Sequence, residues 1–221
     1  MEIIARVRTD FKEKFGIPRQ SSLIKDLSGK IIFEKPFRIN EAVRGLEDYS
    51  HLWILWQFSE SLRDDWSPTV RPPLLGGNKR VGVFATRSPF RPNPIGLSCV
   101  ELERIEYTND GPVIHIKGVD ILDGTPVYDI KPYLSYADSF PEAKGGFTEN
   151  LAERKLAVKN RSKKFDELSD KLKNDILTIL SNDPRPSYHS DNRIYGLKFN
   201  DYEIKFYVES NILVILSIEK I

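Results

Sequence analysis

Three stretches of this chain concentrate residues able to hold a polar ligand. Residues 81–97 pass from an apolar run into Arg87, Ser88, Pro89, Phe90, Arg91, Pro92, Asn93 and Pro94. Each proline locks φ and drives the residue before it to extended geometry, so Arg87, Arg91 and Asn93 are presented with little entropy left to lose on binding. Taken alone, such a segment is as readily an ordinary turn with solvated arginines. Two further stretches of the same character weigh for a site: Ile17-Pro18-Arg19-Gln20, and Asp123-Gly124-Thr125-Pro126 leading on to Asp129, Lys131 and Tyr133.

Other chemistries find little support. His51, His115 and His189 are far apart, and with the single Cys99 they give no zinc spacing, so no metal site is expected. There is no nucleophile elbow or P-loop. Gly76-Gly77-Asn78-Lys79-Arg80-Val81-Gly82 precedes a strand-like run, whereas a dinucleotide loop follows a strand and opens a helix. A nucleotide-like ligand would therefore be held on an all-β scaffold.

The three loops together, with Pro72-Pro73-Leu74-Leu75-Gly76-Gly77-Asn78-Lys79-Arg80 running into the first of them, resemble the TsaA-like (TrmO) family of S-adenosylmethionine-dependent tRNA methyltransferases. The resemblance covers most of residues 1–140. Asp183-Pro184-Arg185-Pro186-Ser187-Tyr188 matches the C-terminal motif of the bacterial form. The resemblance implies a mainly β barrel that binds S-adenosylmethionine without a Rossmann fold, followed by a small α+β C-terminal domain, in a homodimer. It places cofactor contacts on Pro18, Arg19, Gln20, Arg87, Leu97, Asp123, Gly124, Thr125 and Pro126. Where the family often has a histidine after its His-x-Trp strand, here His51 and Trp53, this chain has Ser59 and Glu60, which are kept as contacts. His51 and Trp53 themselves read as a core strand with a satisfied histidine.

The individual roles stay open. Arg19 or Arg87 could pair with the methionine carboxylate, Asp123 could meet an amine or hydroxyl, and Leu97 could contribute an amide or packing. By resemblance the methyl acceptor is N6 of threonylcarbamoyladenosine in the tRNA anticodon loop. Positioning alone can supply roughly 7–11 kcal/mol of the barrier, so no covalent residue is needed. Asp129 is the candidate base, or else a structural carboxylate paired with Lys131. Arg91, Asn93, Lys131, Tyr133, Arg185 and Tyr188 are candidate tRNA contacts, since an unstacked base is read by planar groups and phosphates by cations. Pro184 alone would stop a helix, so Arg185-Pro186 points to more than a stop. The alternatives are a noncatalytic cofactor-sensing or RNA-binding module on the same scaffold, or a methyltransferase acting on another acceptor.

The bulk properties agree with a globular protein. The 221 residues suffice for one large core and one smaller one, and 33 basic against 32 acidic residues give no global pull toward nucleic acid. One cysteine fits a reducing cytoplasm and reads as a buried, inert thiol. No apolar run is long enough to span a membrane, and the first residues lack signal-peptide character.

Residues 1–145 are expected to form the first domain, with strands at 2–8, 31–33, 51–58, 80–86, 95–107, 112–119 and 127–130. A hairpin is expected at Asn109-Asp110-Gly111 and a short helix over 38–46. Many short strands without alternating helices predict a closed barrel or a sandwich, and the resemblance favours the barrel. Residues 146–221 are expected to form the second domain. It begins with a basic linker or binding arm up to Lys164, unless that run is merely a solvated connection. An amphipathic helix follows through Phe165, Leu168, Leu172, Ile176 and Ile179, and then a meander of strands at 194–199, 202–209 and 212–219.

Overall fold

A computed structural model describes residues 1–149, 155–185 and 193–221. In chain order its strands are β1 (Ala5–Thr9), β2 (Ser28–Phe33), β3 (His51–Gln57), β4 (Thr69–Val70), β5 (Val81–Gly82), β6 (Ile95–Thr108), β7 (Gly111–Lys117), β8 (Pro126–Pro132), β9 (Ala157–Asn160), β10 (Tyr195–Phe199), β11 (Tyr202–Glu209) and β12 (Ile212–Lys220). Its helices are α1 (Ser135–Asp138), α2 (Lys163–Asp166) and α3 (Asp170–Ser181).

Six strands close into a barrel in the order β1-β2-β7-β6-β3-β8, every pairing antiparallel. The period of two explains the closure. Ala5 and Val7, Ile31 and Phe33, Leu52, Ile54 and Trp56, and Ile114 and Ile116 alternate inward and fill the interior. His115, between Ile114 and Ile116 in β7, is buried as well, and its Nε2 lies 2.7 Å from Glu106 Oε2. The expected hairpin turns at residues 109–110 between β6 and β7, with Thr108 facing Gly111.

The antiparallel order sorts the connections by end. The β1–β2, β3–β6 and β7–β8 connections emerge at one end of the barrel, while β2–β3 and the tight β6–β7 turn lie at the other. Three loops distant in sequence are thereby brought to one rim.

Several local expectations are corrected. Residues 80–86 hold only the two-residue β5, paired with β4, before the chain turns through Val83–Ala85, because this segment lies outside the barrel and has one short partner. Residues 38–46 form no continuous helix, holding one short turn at Asn40–Val43 and the start of another at Leu46–Asp48. The basic run before Lys164 is not merely a connection: β9 lies within it and pairs in parallel with β12, Val158 opposite Leu213. The amphipathic segment is split into α2 and α3, since Ser169 leaves the helix and caps α3 by accepting from the Leu172 amide.

The C-terminal sheet, in order β10-β11-β12-β9, carries α3 and shares a continuous core with the barrel. Residues 10–16, which leave β1, pack into it. Phe11 meets Phe199 edge-on at 5.2 Å, and Phe15 lies stacked near Tyr195 and Phe206. Asn200 donates its amide to Asp10 O and its side chain to Asp10 Oδ1, at 2.8 and 2.9 Å. The sheet thus holds the segment that delivers Ile17-Pro18-Arg19-Gln20 to the rim.

Two glycines are required by close approach. Gly96 faces Trp56 across the β3–β6 ladder, and a Cβ there would overlap the indole. Gly16 adopts φ +91°, and a Cβ there would run into Leu197. We expect Gly96→Ala to cost about 1–3 kcal/mol through overpacking against a rigid ring. Gly16→Ala should cost about 1–2 kcal/mol through its left-handed backbone. Urea unfolding of each variant checks both values.

Candidate cofactor site

A cavity of about 530 Å3 opens at the rim where the three connections meet. The first supplies Ile17, Pro18, Arg19 and Gln20. The second supplies Phe58, Ser59, Glu60, Arg87, Arg91 and Asn93. The third supplies Asp120, Leu122 and Thr125, while Ile95, Gly96 and Leu97 of β6 form a wall.

The loop contacts fix these groups against one another. Arg87 donates to Gln20 Oε1, and Gln20 donates in turn to the Arg19 carbonyl, joining the first and second connections. Lys14 Nζ donates to the Glu60 carbonyl at 2.6 Å and pairs with its carboxylate at 3.6 Å, pinning the turn of Ser59–Ser61. Arg91 donates to the Thr86 carbonyl at 3.2 Å. Leu97 is 48 % exposed, an apolar side chain presented on the wall rather than buried in the barrel.

Asp123, Gly124 and Pro126 lie next to the lining without forming it. Asp123 accepts from the Thr9 amide at 3.1 Å and from Lys12 at 3.2 Å, so its carboxylate is turned to β1. Gly124, at φ +77°, donates to the Val7 carbonyl and accepts from Arg6. These bonds hold Thr125, buried and on the cavity wall, in place.

Asp129, Lys131 and Tyr133 are placed elsewhere. Asp129 and Lys131 lie along β8 and Tyr133 follows its last residue, so at roughly 3.3 Å per residue Tyr133 is about 23 Å beyond Pro126. Asp129 pairs with Lys131 at 2.8 Å and borders a smaller depression of about 290 Å3 with Met1, Ile4, Leu55, Tyr128 and Ile95, the last of which also lines the main cavity. Within one chain none of the three lines the main cavity. Tyr133 instead joins His51 and Trp53, with ring centroids 6.2 and 6.0 Å away. Both rings are half-buried, not core, and Trp53 Nε1 donates to Asp138 Oδ2 at 2.9 Å. Arg185 forms a two-pronged pair with Asp183, at 2.8 and 3.0 Å. Tyr188 lies outside the described residues.

Cys99 is half-buried rather than buried. Burial first, and then the Asp138 carboxylate, push its thiol up, so it stays protonated.

Sequence reasoning missed Asp120, Trp56 and Phe58. Trp56 and Phe58 meet edge-on at 4.4 Å and give the cavity an aromatic wall. Burial pushes the Asp120 carboxyl up to about 6, against the opposing pull of the Ser98 hydroxyl, two backbone amides and the Arg87 charge. Its signal in the sequence is weak, a carboxylate three residues before the Asp123 loop.

Outside the cavity, Trp66 and Phe84 lie 5.9 Å apart, Arg91 reaches over Phe84 and Arg63 lies 4.0 Å over the Phe90 ring. Trp66, Phe84 and Phe90 are exposed, so arginines and planar rings continue outward from the cavity mouth. Among the described residues no cluster of histidine, cysteine or carboxylates could hold a metal ion, and no helix is long and apolar enough to cross a membrane.

Comparison with known proteins matches this architecture. The tRNA (adenine(37)-N6)-methyltransferase of Escherichia coli (strain K12) is 41% identical over 216 residues, covering 94% of this chain and 92% of that protein. A putative S-adenosylmethionine-dependent methyltransferase of Pseudomonas aeruginosa is 38% identical over 92% of this chain and 90% of its own length. The crystal structure of TrmO from P. aeruginosa superposes with a TM-score of 0.79 at 33% identity, covering 99% of this chain and 95% of that one. The tRNA-methyltransferase O N-terminal domain matches residues 6–139 and the TrmO C-terminal domain residues 150–221, and the chain belongs to this family.

Proposed function

We propose that the protein is an S-adenosylmethionine-dependent methyltransferase that methylates N6 of threonylcarbamoyladenosine beside the anticodon of tRNA. The observation that carries this reading is the meeting of three polar, proline-rich loops in one cavity at the barrel rim. Membership of the family supports it, as does the tRNA (adenine(37)-N6)-methyltransferase named among the relatives. The reading includes a cytoplasmic location, in keeping with the single cysteine, and a homodimer on the strength of the family resemblance.

The residues present suit the cofactor. Phe58, Trp56, Leu97 and Pro18 offer apolar and aromatic faces for a flat base, and Arg19 and Arg87 offer guanidinium groups for a carboxylate. When bound, S-adenosylmethionine supplies a methyl group activated on a sulfonium. The chain's own contribution is to position. Gln20 orients Arg87, Lys14 holds the Ser59–Ser61 turn, and the C-terminal sheet anchors residues 10–16 so that Pro18 and Arg19 have a fixed approach. Asp123, Gly124 and Pro126 act by holding Thr125 on the wall.

We assign Arg91 and Asn93 at the cavity edge, with the neighbouring Arg63, Trp66, Phe84 and Phe90, to the tRNA anticodon loop. Cations hold phosphates there while exposed rings accept unstacked bases. Lys131, Tyr133 and Arg185 belong to further RNA contacts away from the cavity, Tyr188 is kept as a tRNA contact on the family motif alone, and Asp129 is assigned with Lys131 and Tyr133 rather than as the base for its own chain's cavity.

Incubation with labelled S-adenosylmethionine and tRNA, prepared with and without the threonylcarbamoyl group, tests the reaction by nucleoside mass spectrometry. Methylated threonylcarbamoyladenosine should appear with the modified tRNA alone. Cofactor binding without transfer to either tRNA would point to a sensing module. Arg87→Ala should weaken cofactor binding by about 1.5–3 kcal/mol, the range for a hydrogen bond to a charged group. An unchanged Kd by calorimetry removes Arg87 from the site.

A further inference from the structure

We infer that Asp120 is the anionic partner of the cofactor's sulfonium, and so the residue by which the site prefers S-adenosylmethionine over its demethylated product. The inference rests on the proposed cofactor and adds to it a role for one side chain.

The geometry begins with a hydrogen-bond chain whose direction is forced. Trp56 Nε1 lies 2.9 Å from Ser98 Oγ, and Ser98 Oγ lies 2.6 Å from Asp120 Oδ1. An indole nitrogen only donates, so the Ser98 hydroxyl accepts from Trp56 and must spend its own proton on Asp120. Ser98 is completely buried, which leaves water no part in that choice. Backbone amides of Asp120 and Ser21 also favour the ionised carboxyl. The scaffold is therefore arranged to hold an anion at a place where burial disfavours one.

Charge on the cavity wall shows what the anion faces. Lys14, Arg19, Arg87 and Arg91 are its cations, and Glu60 and Asp120 its carboxylates. Lys14 is paired with Glu60. Among the described residues no ion pair is formed to Asp120, and Arg87 acts on it only through its longer-range charge. Arg19 and Arg87 suit the carboxylate of the methionine moiety but repel a cation. Asp120 is the lining group able to offset that repulsion.

The choice between the two cationic groups of the cofactor follows from donor counting. An ammonium brings three N–H donors that need acceptors, whereas a sulfonium brings none and needs only nearby negative charge. On the Asp120 carboxylate, Oδ1 already accepts from the buried Ser98 hydroxyl, which leaves fewer of its roughly four acceptor positions for an ammonium, while a sulfonium needs only its charge. Methyl transfer forms the N–C bond as the S–C bond breaks, the electron pair staying on sulfur as a neutral thioether and the acceptor nitrogen releasing its proton to solvent, so the product loses this attraction and its release is favoured.

Calorimetric titration of the full chain with S-adenosylmethionine and with S-adenosylhomocysteine tests the assignment. Asp120→Asn keeps the shape and the Ser98 bond but removes the charge. It should weaken S-adenosylmethionine binding by about tenfold or more and S-adenosylhomocysteine by less than about threefold. Equal losses for both ligands, as an ammonium contact or a merely structural role would give, overturn it, as does no loss for either.

The pH dependence supplies a second reading. Asp120 is neutral below its value of about 6, so wild-type affinity for S-adenosylmethionine should fall as pH drops from 7.5 to 5, by about tenfold at pH 5, and be flat for the product. The groups facing the cavity, Lys14, Arg19, Arg87, Arg91 and Glu60, all remain in Asp120→Asn, so any fall they cause persists in that variant. Ser98→Ala removes a bond that lowers the Asp120 value and should move the midpoint upward. A pH profile shared by wild type and Asp120→Asn overturns the assignment. Failure of the wild type to bind either ligand overturns the cofactor reading itself and this assignment with it.

Discussion

The two-sided pairing of β3 is the constraint on which the rest of the molecule depends. β3 bonds to β6 on one side and to β8 on the other, with Trp56 facing Gly96 and Val127. That pairing closes the barrel and removes the free edges that an open sheet would expose. Because every pairing is antiparallel, closure also sorts the connections, and the three loops rich in arginine, proline and aspartate fall on one rim. The site follows from strand order before any side chain makes a contact.

The same strand pair supplies the cavity floor. Gly96 lets the Trp56 indole lie flat across the ladder, and the indole nitrogen then reaches Ser98 one strand over. Ser98 passes the polarity to Asp120 on the third connection. A packing requirement in the barrel is in this way coupled to the charge of a cavity carboxyl. Burial of that carboxyl opposes its ionisation, so the site holds a group less stable than its surroundings would select for folding alone.

The C-terminal sheet has a structural share in the site as well as its own surface. Phe11 and Phe15 leave the barrel to pack on Phe199, Tyr195 and Phe206, and Gly16 turns the chain back toward Pro18. The first connection is long, and without that anchorage Arg19 would have to be ordered at binding, at the entropic cost that fixing a loop carries.

Much was legible from the sequence itself, because period-two alternation is local. The strands at 51–58, 112–119 and 202–219 and the turns at Asn109-Asp110-Gly111 and Asn200-Asp201 are written in side-chain type and spacing. The three loops were legible because proline, arginine and glycine restrict the chain wherever they occur, and their combination marks the family. What only the tertiary structure decided is which residues face one another. β9 was hidden in a basic run because its partner β12 lies more than fifty residues away. Asp129, Lys131 and Tyr133 sit in the same stretch as Asp123 yet point to another part of the barrel, since a strand carries each residue about 3.3 Å farther from the rim. Asp120 gained its importance from Ser98 and Trp56, neighbours across the sheet whose approach no local pattern records. Local chemistry is set by residue type, but burial and charge at a site are sums over groups that only folding brings together.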